Sequence, residues 1–148
     1  MLRDILEELA SVLRQDIGTS LASDNIDCEI EPRFVLSPSE SPCIDMYPAP
    51  RDSTSAAMGD ITGFYVVNVR ARVTMADDES AQDVLMDMTD DDHDLCVAAV
   101  LESDPTLNGW ATFVGVDPDS FSGLLDMSSP GRQMIGCTWR VLIGQAFS

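Results

Sequence analysis

The sequence contains no lysine. Its eight basic residues are all arginine, and they face 26 aspartates and glutamates, a formal net charge of −18. A surface of that charge repels phosphate backbones and anionic headgroups, which disfavours ordinary nucleic-acid binding and attachment to anionic membrane surfaces. Without lysine no P-loop can form, and no Gly-x-Gly-x-x-Gly is present either. The chain has one histidine, His93, so any Ser-His-Asp or Cys-His mechanism would have to use it; no Gly-x-Ser-x-Gly accompanies it. No apolar run approaches the roughly 18 residues of a membrane span. The first eight residues, MLRDILEE, lack the apolar centre of a signal peptide. The four cysteines, Cys28, Cys43, Cys96 and Cys137, form no Cys-x-x-Cys pair and read as buried thiols of a reducing cytosol.

What is present suits one domain over residues 1–148, with 45% hydrophobic residues and therefore enough apolar material for a core. Leu2, Ile5, Leu6, Leu9, Val12, Leu13, Ile17 and Leu21 recur at helical spacing and predict an amphipathic helix of about five turns. Ile26, Cys28 and Ile30 alternate with Asp27, Glu29 and Glu31, which predicts a half-solvated strand that Phe34-Val35-Leu36 could continue beyond Pro32. Cys43 to Tyr47 reads as a second strand. Residues 48–60 carry no periodic pattern and read as an exposed, mobile loop.

A long strand follows, with Tyr65, Val67, Val69, Ala71 and Val73 on one face and Phe64, Val66, Asn68, Arg70, Arg72 and Thr74 on the other. Asp77-Asp78-Glu79-Ser80 opens a helix with Ala81, Val84, Leu85 and Met88 inward, and Thr89-Asp90-Asp91-Asp92 reads as the start of a second one running through Leu101. Trp110 to Val116, a short piece at Leu124-Leu125 and residues 133–143 complete the strands. This order predicts an α+β fold: a twisted, mainly antiparallel sheet of 4–6 strands, with the N-terminal helix and a central helical pair packed on one face.

The acidic run Asp90-Asp91-Asp92-His93-Asp94 is not a metal loop, because its acids are consecutive and the EF-hand glycine is absent. His93 and Cys96 sit three apart on an apolar helical pattern with no further nitrogen or sulfur ligands near them in sequence. The expectation is a non-enzymatic protein without metal or cofactor. The arginines are the scarce positive groups. Arg70 and Arg72 on the long strand and Arg140 in the last strand should pair with carboxylates, either within the domain or across a subunit interface. The mixed apolar and charged second face suggests that it meets another protein.

Taken together, the leading helix, Pro42-Cys43-Ile44-Asp45-Met46-Tyr47-Pro48, the Gly63–Met75 strand, the Asp-Asp-Glu helix start, Gly131-Arg132, Gly136 and Trp139-Arg140-Val141-Leu142-Ile143 carry a resemblance over nearly the whole chain. The chain resembles the tail terminator and tail-completion proteins of long-tailed, siphovirus-like bacteriophages, particularly those of actinobacterial phages. The resemblance implies a ring, typically a hexamer, that caps the head-proximal end of the tail tube and stops its polymerisation. It implies contacts with the tail tube protein and the head–tail connector, a virion location after assembly in the host cytoplasm, and a channel that DNA crosses without specific binding. An acidic channel wall fits that passage. Arg51, Arg70, Arg72, Arg132, Arg140 and Tyr47 are then the candidate interface residues, and the 48–60 loop is expected to reach a neighbour or the tube. A head-side stopper or adaptor, an acidic DNA mimic and a host immunity or adaptor protein are the competing readings.

Overall fold

In a computed structural model, the structure describes residues 2–49, 64–74, 78–128 and 131–145. Arg51 and most of the 48–60 segment lie outside the described residues.

The first helix begins as α1 (Leu2–Leu13), passes through a π turn (Arg14–Gly18) and ends as α2 (Thr19–Ser23). Leu9, Leu13, Ile17 and Leu21 are spaced by four, and all are buried. At 3.6 residues per turn that spacing would rotate the stripe by about 40° at each step. The wider π turn absorbs the drift and keeps Ile17 and Leu21 on the core. It also presents Arg14, whose Nε and Nη2 donate to the Ile30 carbonyl at 3.1 and 2.6 Å and tie the helix to the sheet.

The strands are β1 (Glu29–Glu31), β2 (Cys43–Pro48), β3 (Phe64–Thr74), β4 (Ala111–Asp117), β5 (Leu125–Asp126) and β6 (Met134–Gln145). They form one sheet in the order β1-β2-β3-β6-β4, with β5 also paired to β6. All pairings are antiparallel except β1 with β2. The α+β architecture with a mainly antiparallel sheet is as the sequence pattern predicted. Helices α3 (Asp78–Thr89) and α4 (Val97–Glu102) join α1 against the core, where Ile5, Leu9, Val67, Val69, Val97, Leu101 and Val141 are buried together.

Two segments differ from the sequence expectation. The first strand keeps only three residues, and Phe34 to Leu36 do not extend it. The reason is the parallel β1–β2 pair: parallel neighbours need a crossover. Residues 32–42 supply it, and no helix lies within it. The second expected helix is also short. Asp90 accepts from the Asp92 N–H at 3.0 Å and the His93 Nδ1 accepts from the Leu95 N–H at 3.0 Å. Such local side-chain bonds compete with a helix, so 90–96 form turns and α4 starts only at Val97.

The outer edge of β6 is closed in three ways. Strand β4 covers Arg140 to Gln145, β5 covers Ile135 and Gly136, and between them serine hydroxyls accept from its amides. Ser120 Oγ takes the Arg140 N–H at 2.8 Å and Ser122 Oγ takes the Thr138 N–H at 2.9 Å. The exposed backbone that would invite edge-to-edge pairing is thereby satisfied.

Gly136 faces Arg72 across β3 and β6. A Cβ there would overlap the Ala71 carbonyl oxygen and lie 2.8 Å from both Arg72 Cγ and Met127 Sδ. Gly136→Ala is therefore expected to destabilise the fold by about 1–3 kcal/mol, the usual cost of overpacking. Urea unfolding followed by circular dichroism measures it, and a wild-type midpoint would contradict this packing.

Candidate interface on the second sheet face

Strands β2, β3 and β6 turn one set of side chains to the helices and the other set to the opposite face. Antiparallel register places Asp45, Arg70 and Thr138 in one row across that second face, Cys43, Arg72 and Gly136 in the next, and Tyr47, Asn68 and Arg140 in a third. In sequence these residues are up to about a hundred positions apart; the sheet alone makes them neighbours.

Asp45 is the centre. It is fully buried, and Arg72 is only 2% exposed. Arg70 Nε donates to Asp45 Oδ1 at 2.9 Å and its Nη2 donates to Oδ2 at 2.5 Å, a two-point clasp. Arg72 Nη2 lies 3.6 Å from the same Oδ2. The crossover lies across this cluster. The Val35 N–H donates to Asp45 Oδ2 at 2.9 Å. The Val35 carbonyl accepts from Arg70 Nη2 at 3.1 Å and from Arg72 Nη2 at 2.7 Å. Burial would lower the pKa of Arg70, but the hydrogen bond and charge of Asp45 outweigh it and hold the guanidinium above its ordinary value. Aromatic rings seal the cluster. Phe34 lies 4.6 Å and Tyr47 5.6 Å from the Arg70 guanidinium carbon, and the two rings meet edge to face at 5.1 Å.

The second face is thus partly covered by its own chain, where the sequence pattern had suggested another protein. Of the predicted interface residues, Arg70, Arg72 and Tyr47 come together here. Arg132 reaches the same crossover elsewhere, its Nη1 donating to the Pro38 carbonyl at 2.6 Å. Arg140 stands in the third row, half-buried, between Asn68 on β3 and Asp117 on β4. Asp45 and Phe34 are the residues that sequence reading missed. Asp45 occupies an alternating strand position, the one available signal, while Phe34 was read as strand. Leu36 is 67% exposed and Phe34 52%, so apolar side chains rim the cluster at the surface.

His93 lies elsewhere, its Nε2 3.5 Å from an Asp87 oxygen. Among the described residues no group of three or more His, Cys, Asp or Glu is placed to hold a metal ion. No described helix is long and apolar enough to cross a membrane. All four cysteines are free thiols.

Removing the charge of Asp45 while keeping its shape leaves two buried guanidiniums uncompensated. Asp45→Asn is expected to lose about 3–5 kcal/mol of stability, whereas Glu7→Gln on the exposed side of α1 should stay within about 0.5 kcal/mol of wild type. Denaturant titration of both variants checks the difference.

Burial pushes the thiols of Cys28, Cys43 and Cys137 up to about 12 from an ordinary 9.0. Because the folded value is the raised one, this contribution to stability is intact below pH 9 and is lost as pH rises toward 12. Iodoacetamide at pH 8 should therefore leave Cys43 and Cys137 unmodified in the folded protein and alkylate both in urea, as read by mass spectrometry.

No protein-family model and no curated protein sequence matches the chain.

Proposed function

We propose that the chain is a non-catalytic structural protein of a long-tailed bacteriophage: a tail terminator that assembles as a ring, a hexamer by the resemblance, on the head-proximal end of the tail tube. In this role it stops tube polymerisation, presents the surface for the head–tail connector and leaves a channel for DNA.

The observation that carries the reading is the charge imbalance, eight arginines against 26 acids. Arg14, Arg70, Arg72 and Arg132 donate to carbonyls or a carboxylate of their own chain, and Arg33 sits 3.9 Å from Glu31. Arg70 and Arg72 are drawn off the surface in this way while Arg14, Arg33 and Arg132 stay exposed, and with eight arginines against 26 acids the chain keeps a strong excess of negative charge. An acidic lumen holds no phosphate and lets a duplex slide. The acids lie on α1, in loops and along strands rather than in one phosphate-like line, which argues against a DNA mimic. A leading helix, a long central strand and a mainly antiparallel sheet also agree with the element order on which the resemblance stands.

Electron microscopy of lysates from a phage lacking this chain tests the proposal. Over-long tails that fail to join heads are the expected outcome. Tails of normal length left unjoined would move the chain to the head side of the joint, and intact virions would overturn the reading.

A further inference from the structure

On the helix side of the sheet, toward the end of β4, lies an open cleft of about 500 Å³. Part of its lining is apolar: Val116 and Phe121, with Trp139 against the Phe121 ring, the two rings 5.6 Å apart and tilted by 34°. Phe121 is 39% exposed and Trp139 only 5%, so Phe121 offers the open ring. Two carboxylates line the same cleft. Asp91 comes from the turns that stand where the sequence predicted a helix start, and Glu102 comes from the end of α4. Each is lightly tethered. Asp91 Oδ1 lies 4.0 Å from the Cys96 thiol, and Glu102 Oε2 accepts from the Val116 N–H at 3.4 Å. Both side chains are exposed, and among the described residues neither is paired with an arginine.

We infer that this cleft is a docking site for an arginine side chain on a basic segment of another protein. It lies on the opposite side of the sheet from the Asp45 cluster and does not depend on the ring proposed above. The lining selects the occupant. A purely apolar side chain would desolvate the two carboxylates without compensation, and an acidic one would be repelled. An arginine answers both parts of the cleft. Its apolar stem covers Val116 and Phe121, its guanidinium fork donates to carboxylate oxygens, and its planar face stacks on the open ring. A second copy is a poor source of that side chain. The chain has no lysine, Arg14, Arg70, Arg72 and Arg132 donate to groups of their own chain, and Arg33 lies 3.9 Å from Glu31. A foreign basic segment brings cations that are not so engaged, and the field of a chain at −18 steers it inward.

¹H–¹⁵N spectra of the full chain test this, with acetyl-leucyl-arginyl-leucinamide as the probe. Its citrulline counterpart, nearly the same shape without the charge, is the control. The arginine peptide should shift the Trp139 indole N–H saturably and leave that of Trp110, which does not line the cleft, in place. An unmoved Trp139 resonance, or an equal shift with the citrulline peptide, would overturn the site. Glu102→Gln keeps an oxygen for the Val116 N–H and removes the charge. It should preserve the circular dichroism spectrum and weaken the peptide about threefold or more. Undiminished affinity in this variant would take Glu102 out of the site and the arginine assignment with it. Sedimentation velocity without peptide decides the source of the side chain. Equal sedimentation of wild type and Glu102→Gln, as monomer or as ring, is the expected result. Self-association that Glu102→Gln weakens would make a second copy the occupant and overturn the foreign partner.

Discussion

The second sheet face depends on one buried carboxylate. Asp45 has no contact with solvent, and an isolated charge there would be untenable. Arg70 and Arg72 make it tenable, and in turn they need it, since neither guanidinium could be buried alone. The same oxygens and nitrogens hold both backbone groups of Val35. The crossover between two parallel strands is thus fastened to the sheet by charge as well as by the buried Pro32 and Pro38. Phe34 lies half-exposed over Arg70 and Tyr47, and Leu36 stays at the surface.

The two faces of the sheet therefore follow different physics. Against the helices the chain buries aliphatic side chains in a core that runs from α1 through β3 to β6. Burial of that kind is non-directional and tolerates approximate shape. On the other face a few directional, charge-assisted bonds fix the positions of individual side chains. A surface meant to register against a neighbour gains from the second kind, because the groups it offers are already held in place before contact. Gly136 belongs to this logic, as it gives the Arg72 stem and Met127 the room to lie flat on β6.

Arg70 and Arg72 commit their charge to Asp45 in the interior, which leaves six arginines against 25 acids in the rest of the chain. Arg14 and Arg132 donate to carbonyls and keep their charge at the surface. In the ring proposed above, a wall with that excess of acid would repel DNA.

The local pattern of the sequence determined most of the architecture. The four-residue spacing of Leu9, Leu13, Ile17 and Leu21, the alternation along β3 and β6 and the acidic surplus are properties of neighbours along the chain, and helix and strand periods read them directly. Even there the π turn that reconciles the spacing with the helix was invisible, because it answers to the surface beneath it. The length of β1 and the fate of 90–96 escaped for a related reason: a parallel strand pair and side-chain bonds to nearby amides overrode the local pattern. Only the tertiary structure decided which carboxylate the arginines would take. Asp45 is 25 residues from Arg70, while Asp77, Asp78 and Glu79 lie much nearer in sequence and Glu29, Glu31 and Glu40 are equally acidic. Strand register, with its period of two and its fixed partners, put Asp45 opposite Arg70.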